Sequence, residues 1–220
     1  MDRDIITQQV TGAGEIPAYG WVPPVNNYQG QRMPGAELSQ AEREVRAKQL
    51  YAEAGYGSEN PLTVEFLYNT HQNHKSIGVA VASMWKNVLG VETRLINQEW
   101  KVFLETRRKK TDTQVFRGGW IGDYNDAFTF AELLHSENAQ NDSGYANPEY
   151  DRLLEAAAQE RDLARRAQLL QGAEAVLLAD QPLIPIYFYV TKRLVKPWVG
   201  GFQPNIMDHH YTKNMFILAH

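Results

Sequence analysis

Apolar positions first take on helical spacing at residues 2–10. This short run passes straight into Thr11-Gly12-Ala13-Gly14, as the last turns of a longer helix would, and predicts a cut upstream. Residues 16–35 carry Pro17, Pro23, Pro24, Pro34 and Gly20 among Tyr19, Trp21 and Tyr28. That is the make-up of an ordered aromatic loop packed on a larger body. Helical spacing returns from residue 36, with Leu38, Ala41, Val45, Ala47, Leu50 and Tyr51, until Gly55 stops it. Residues 63–68 alternate through Val64, Phe66 and Tyr68 as a strand does, and residues 74–89 put Ile77, Val81, Met84, Trp85 and Val88 on one helical face. A second strand over 91–97, a second helix over 99–110 and a third short strand over 114–118 complete a βαβαβ series. Helical crossovers between strands predict an α/β lobe.

Two more helices follow. Asn147-Pro148 opens the first, since Asn caps and Pro fits the first turn, and Tyr150, Leu153, Leu154, Ala157 and Ala158 mark its buried stripe. The second spans about 162–179, with Leu163, Ala167, Leu170, Ala173, Leu177 and Leu178. Residues 183–190 are apolar and aromatic with little polar relief, which predicts a buried strand. A last strand is expected near Asn214 to Leu218.

Composition narrows the function. The 220 residues carry 22 Lys and Arg against 26 Asp and Glu, a formal charge of −4, with no long basic run, so a nucleic-acid partner is not expected. No apolar stretch approaches the roughly 20 residues of a membrane-spanning helix, and the start, Met1-Asp2-Arg3-Asp4, has no apolar region of a secretory signal behind it. The absence of cysteine removes thiol nucleophiles, Cys-bound zinc, iron–sulfur clusters and disulfides, and leaves the compartment open.

Catalytic and cofactor signatures are missing: there is no GxGxxG, no GxxxxGK[ST], no GxSxG and no HExxH. His71 and His74 lie three apart with no third ligand at a recognisable spacing, so neither metal nor cofactor is expected. Asp112, Asp123 and Asp126 admit a two-carboxylate hydrolase, although nothing in the sequence separates an acid from a base. The cluster Arg107-Arg108-Lys109-Lys110 closes a helix, where the helix dipole favours cations, and one of its arginines can meet a carboxylate bidentately. Residues 117–126, RGGWIGDYND, carry most information. They place Arg, Trp and Asp at a strand end with glycines that allow close backbone approach, where ligands of open α/β sheets collect.

With these residues in view the chain resembles the C-terminal part of the periplasmic oligopeptide-binding proteins of ABC-type peptide importers (solute-binding protein family 5). The carrying segments are Ile16-Pro17-Ala18-Tyr19, Leu67-Tyr68-Asn69-Thr70, Leu89-Gly90-Val91, Asn97-Gln98-Glu99-Trp100, Gly119-Trp120 with Asp123-Tyr124-Asn125, and RLVKPWVGG at 193–201. The resemblance implies a truncated two-lobed binding protein of α/β class. Residues 1–188 would form most of the distal lobe, and 189–220 would return to the other, N-terminal lobe, the rest of which is absent. It implies that Asp123 pairs with the α-ammonium of a peptide, with Trp120 and Tyr124 lining the cleft. Arg117, Arg107 and His74 match cationic positions that meet peptide carboxylates, and Asn69 and Tyr189 match ligand-contacting positions. A non-enzymatic, periplasmic protein is implied, a monomer when full-length, with an oligopeptide ligand and a membrane permease as partners. A murein-tripeptide-binding branch of the same family remains open.

Overall fold

The computed structural model describes residues 1–110 and 113–219. Helix α1 (Arg3–Ile5) starts on the Asp2 carboxylate, which accepts from the Asp4 and Ile5 amides, and continues as a π-helical stretch, Ile6–Thr11. A two-residue strand β1 (Ile16–Pro17) and a long loop lead to α2 (Gln40–Glu53), which opens with a reciprocal capping box between Ser39 and Glu42. Then come β2 (Thr63–Asn69), α3 (Gln72–Leu89), β3 (Glu92–Gln98), α4 (Trp100–Lys109) and β4 (Val115–Phe116). The three strands form a parallel sheet in the order β3-β2-β4, with Asn69 in register with Gln98 and Leu67 with Phe116. This is the expected βαβαβ lobe, with its first strand in the middle.

Past the sheet lie α5 (Phe128–Ala131), α6 (Pro148–Gln159) and α7 (Leu163–Asp180). Asn147 and Asp162 cap the last two, as the sequence predicts. Strand β5 (Tyr187–Phe188) pairs antiparallel with β1, and β6 (Val199–Gly200) pairs with β7 (Phe216–Ile217). Two buried clusters hold the body together. Ile6, Phe66, Ile77 and Val81 join α1 and α3 to the sheet. Tyr150, Leu154, Leu170 and Leu177 join α6 and α7 to Phe130 and to Val22 of the loop.

The loop over 16–35 is ordered by one carboxylate. Glu174 of α7, 1% exposed, accepts from the Trp21 and Val22 amides on Oε1 and from the Tyr28 hydroxyl and Gln31 amide on Oε2, all at 2.7–2.8 Å. Burial and that carboxylate together push the Tyr28 phenol pKa up. The turn closes so tightly that a Cβ on Gly20 would lie 2.2 Å from the Gln31 carbonyl oxygen. Gly20→Ala should therefore cost about 3 kcal/mol, because backbone rather than a flexible side chain must give way. A thermal melt reads the loss.

Two expectations are corrected. Helical spacing predicts a helix from residue 36, but α2 begins at Gln40 behind its Ser39 cap; none of its residues is buried, and Val45 and Leu50 are 56% and 48% exposed. The helix lies against α3, Arg43 sits over the Tyr19 ring, and Tyr51 stacks on Tyr56 and accepts from the Leu62 amide. Residues 183–190 predict a buried strand, but only Tyr187 and Phe188 pair, and Ile184 is half exposed. The ladder is short, two register pairs with one further bond from the Ala18 amide to the Ile186 carbonyl at 3.0 Å. The segment is anchored instead by Arg3, buried against the Tyr19 ring, whose Nε donates to the Pro185 carbonyl at 2.8 Å.

Candidate ligand-binding site

The carboxyl ends of the parallel strands bring half of the expected residues to one edge. Strand β2 ends at Asn69 and β3 at Gln98, while β4 runs on into Arg117, whose amide still donates to the Leu67 carbonyl at 2.8 Å. Helix α3 begins here as well. His71 caps it, its Nδ1 accepting from the Asn73 amide, and His74 sits in the first turn with its ring 4.8 Å from that of His71. His74 Nδ1 faces the Asn69 carbonyl at 3.4 Å. Burial pushes the His74 pKa down to about 4, helped by the neighbouring Arg117 charge and His71 and opposed by the Asn69 carbonyl. The imidazole is therefore neutral at pH 7.

The Arg117 guanidinium donates to the Tyr189 hydroxyl, across from the segment that follows β5. Gly119 lies against both, since a Cβ there would meet Arg117 Nη2 at 3.2 Å and Tyr189 Cε2 at 3.4 Å. Tyr187 packs edge-on to Tyr189 at 5.1 Å. Among the described residues no carboxylate pairs with Arg117, His71 or His74. Three buried polar atoms on these segments also lack a partner: Asn69 Oδ1, Gln98 Oε1 and Trp120 Nε1. Buried polar groups are nearly always satisfied, so unmet ones at an open edge suit a ligand or water.

Trp120 packs against the helical core, and the turn after it carries Asp123. This turn is set by Gly122, where a Cβ would stand 2.9 Å from Phe130 Cζ and 3.1 Å from Thr129 Cγ2, and by the Asp123 amide, which donates to Thr129 Oγ1 at 3.1 Å. The Asp123 side chain is exposed and, among the described residues, has no hydrogen-bonding or ion-pair partner. Gly122→Ala should displace the turn, weaken any ligand held by Asp123 about tenfold and cost about 1–3 kcal/mol of stability, because the buried Phe130 and Thr129 side chains must give way. Titration of the variant beside a melt separates the two effects.

Other candidates are committed elsewhere. Tyr124, 43% exposed, donates to Glu132 Oε1 at 2.9 Å, and its phenol pKa is pushed up by burial and then by that carboxylate. Asp126 takes a two-pronged bond from Arg166 of α7 at 2.7 and 3.0 Å, and although burial opposes it, this bond and the Phe128 amide hold its carboxyl below the usual value. That pair contributes stability above the ordinary carboxylate range and loses it as pH falls through the lowered value. Arg107 gives both Nε and Nη2 to Asp142 Oδ2, with Phe103 and Phe116 each 5.2 Å from its guanidinium. Thus Asn69, His74, Arg117 and Tyr189 gather, Trp120, Asp123 and Tyr124 follow on the next turn, and Arg107 serves an internal ion pair. Asp112 lies outside the described residues. Among the latter no three His, Asp or Glu are grouped to hold a metal, and no helix is long and apolar enough to cross a membrane.

Reading single motifs misses Gln98, which strand register brings beside Asn69. It misses Asp142 and Glu174 for the same reason, that the partner is distant in sequence.

Residues 1–142 match the model of the bacterial extracellular solute-binding proteins, family 5 middle region. The chain belongs to this family. Over its whole length it is 42% identical to the periplasmic oligopeptide-binding protein OppA of Escherichia coli K12 and 40% identical to the periplasmic murein peptide-binding protein MppA of the same organism. It spans 41% of each of those proteins. The solved structure of Escherichia coli MppA superposes on all of this chain with a TM-score of 0.88 at 39% identity, covering 43% of that protein. Haemophilus influenzae OppA in complex with RPPGFSPFR does so with a TM-score of 0.87 at 38% identity, covering 44%. The α/β fold is thus that of the family 5 binding proteins, of which this chain is a part.

Proposed function

We propose that this chain is part of the peptide-binding subunit of an ABC-type importer and carries one wall of a peptide cleft. The observation that bears most weight is the pair of uncompensated charges on either side of Trp120: a free carboxylate at Asp123 and a guanidinium at Arg117 that no described carboxylate meets. Opposite charges that both follow the end of β4, six residues apart in the chain, suit an extended zwitterion. The ammonium goes to Asp123 and the carboxylate to Arg117 with His74, while Asn69, Gln98, Trp120 and Tyr189 offer polar and aromatic contacts between them. Side chains of the peptide then need no specific partner, because water can complete their hydrogen bonds.

Residues 1–188 would form most of one lobe and 189–220 the return segment to the other, whose closure would enclose the peptide and present a surface to the permease. The exposed β6-β7 ladder, with Phe216 and Ile217 56% and 67% exposed, supports such a docking role. The compartment would be the periplasm, as for the named relatives. A hydrolase based on Asp123 and Asp126 loses its second carboxylate to Arg166, and the site asks for binding without chemistry.

The test is a melt of the chain with a pool of tripeptides to pentapeptides, beside the same pool N-acetylated. Saturating ligand at about 100 times Kd would add about 2.7 kcal/mol, a shift of several degrees that acetylation should abolish. No shift from the free pool counts against a working site in this chain. Because OppA and MppA are nearly equally similar, mass spectrometry of the ligand that co-purifies decides between a mixed peptide pool and a murein tripeptide.

A further inference from the structure

Three guanidiniums gather on one aromatic ring. Arg3 of α1 stands over Tyr19 at 4.5 Å from the ring centre, and Arg32 of the loop and Arg43 of α2 each stand over it at 5.1 Å. A ring has two faces, so at least two of these charges share one. All three are anchored by neutral acceptors. Arg3 gives Nε to the Pro185 carbonyl at 2.8 Å and Nη2 to Met33 Sδ at 3.3 Å, and Arg32 gives Nη2 to the Ala36 carbonyl at 3.3 Å. Arg43 gives Nη1 to the Leu38 carbonyl and Nη2 to Gln40 Oε1 at 3.3 Å. Among the described residues no carboxylate lies within ion-pair distance of Arg3, Arg32 or Arg43. Those nearby in sequence are committed: Asp2 caps α1, Glu42 closes the Ser39 capping box, and Glu44 accepts from Gln40.

Two further observations say that the cluster lacks an anion. Arg43 Nε is buried and has no acceptor, although buried donors nearly always find one. Burial pulls the Arg3 pKa down and the Arg43 charge adds to this, with only Tyr19 opposing them. Cations taken out of water are costly unless an opposite charge meets them. Arg3 is buried, Tyr19 and Arg43 are half-buried and Arg32 is exposed, so the cluster is reached from the Arg32 side.

We propose that the arginines around Tyr19 form an oxyanion site that takes a phosphate group, with Arg32 and Arg43 gripping its oxygens over the charge of Arg3. A phosphate group suits three cations better than a carboxylate does, because it carries about −1.5 to −2 charges and presents three or more acceptor oxygens to guanidinium forks. Bound there, it would tie α1, the loop after β1 and the start of α2 together and, through Arg3, hold the Pro185 carbonyl beside the β1–β5 pair. The site shares no residue with the peptide edge, so the inference stands apart from the peptide reading.

The probe is inorganic phosphate at pH 7.5, against chloride and acetate at one ionic strength of about 0.15 M, where exposed charges are screened. Calorimetry should show one saturable phosphate site, and the melt should rise by several degrees to a plateau. Arg32→Gln and Arg43→Gln should each weaken phosphate about tenfold or more, the scale of a charge-assisted hydrogen bond. Arg46→Gln, which removes an exposed partner of Glu53 further along α2, should leave it unchanged. Arg32 is exposed, so Arg32→Gln should melt in chloride as the parent does, and it decides the matter alone if Arg43→Gln fails to fold. Glycerol 3-phosphate sorts the source. Binding as tight as that of inorganic phosphate means that the group arrives on a larger molecule through the Arg32 side; binding of inorganic phosphate alone means a free ion, and either supports the site. The absence of saturable phosphate binding overturns the proposal. So does equal stabilisation by acetate, or a rise without a plateau that persists in Arg32→Gln, the mark of general salting-out.

Discussion

Glu174→Ala is expected to lower the melting temperature of the chain by roughly 10 °C, from a loss of about 3–5 kcal/mol. The carboxylate is 1% exposed, no cation meets it among the described residues, and its charge is carried by three backbone amides and the Tyr28 hydroxyl. Hydrogen bonds to a charged acceptor contribute more than neutral ones, and removing the acceptor strands each buried donor. Glu174→Gln should fall between, at about 2–3 kcal/mol. Its amide can turn one NH2 towards the Tyr28 hydroxyl, which can accept, but then opposes the Gln31 amide, which cannot. The control is Glu149→Gln, which breaks an exposed pair with Arg152 one helical turn away and should leave the melt unchanged. Equal melting of Glu174→Ala and the parent chain would mean that the loop over 16–35 is not held by this residue.

The same contrast explains what the sequence makes legible. The βαβαβ order, the Asn147 and Asp162 caps and the α6 and α7 stripes are local patterns, written within a few residues and governed by a period of two or of 3.6. Glu174 is different. It lies on the buried stripe of α7 between Ala173 and Leu177, where a carboxylate reads as a break in the pattern, and its four donors come from residues about 150 positions earlier. Arg107 with Asp142 and Asp126 with Arg166 are hidden in the same way, at separations of 35 and 40 residues. The apolar spacing of α2 makes the helix legible, but periodicity does not report that its apolar positions stay partly exposed. Similarly, the apolar run over 183–190 shows a preference for burial, while the length of its ladder is set by how much of β1 lies opposite, two residues and one further bond from the Ala18 amide to the Ile186 carbonyl.

In the site, legibility divides by chemistry. RGGWIGDYND announces a functional turn because glycines, Trp and Asp have few reasons to meet in an ordinary loop, and the structure leaves Asp123 with no partner and Trp120 Nε1 unsatisfied. Which arginine is available is decided by tertiary pairing. Arg107 lies in the last turn of α4 and Arg117 just past β4, yet of the two only Arg107 finds a carboxylate, Asp142, and only Arg117 reaches Tyr189. The resulting edge has one free acid and one free base-bearing corner, and the distinction between them organises what a peptide could do there.

Asp123→Asn is accordingly expected to weaken peptide binding by about 100-fold, the scale of losing one partner of a charge pair that becomes desolvated on binding, about 2–3 kcal/mol. The substitution keeps size and shape, and the turn should survive it, since its anchor is the backbone amide on Thr129 Oγ1; the melt of the free chain should be unchanged. Affinity alone would not show that the ammonium is the group lost, so the measurement is a cycle. Calorimetry is run on the parent and on Asp123→Asn, each with trialanine and with N-acetyl-trialanine. If Asp123 holds the α-ammonium, acetylation costs the parent about as much as the substitution does, and the acetylated peptide binds both proteins alike, because the second change removes nothing further. Independent, additive losses would place the ammonium elsewhere and leave Asp123 as a solvated turn residue.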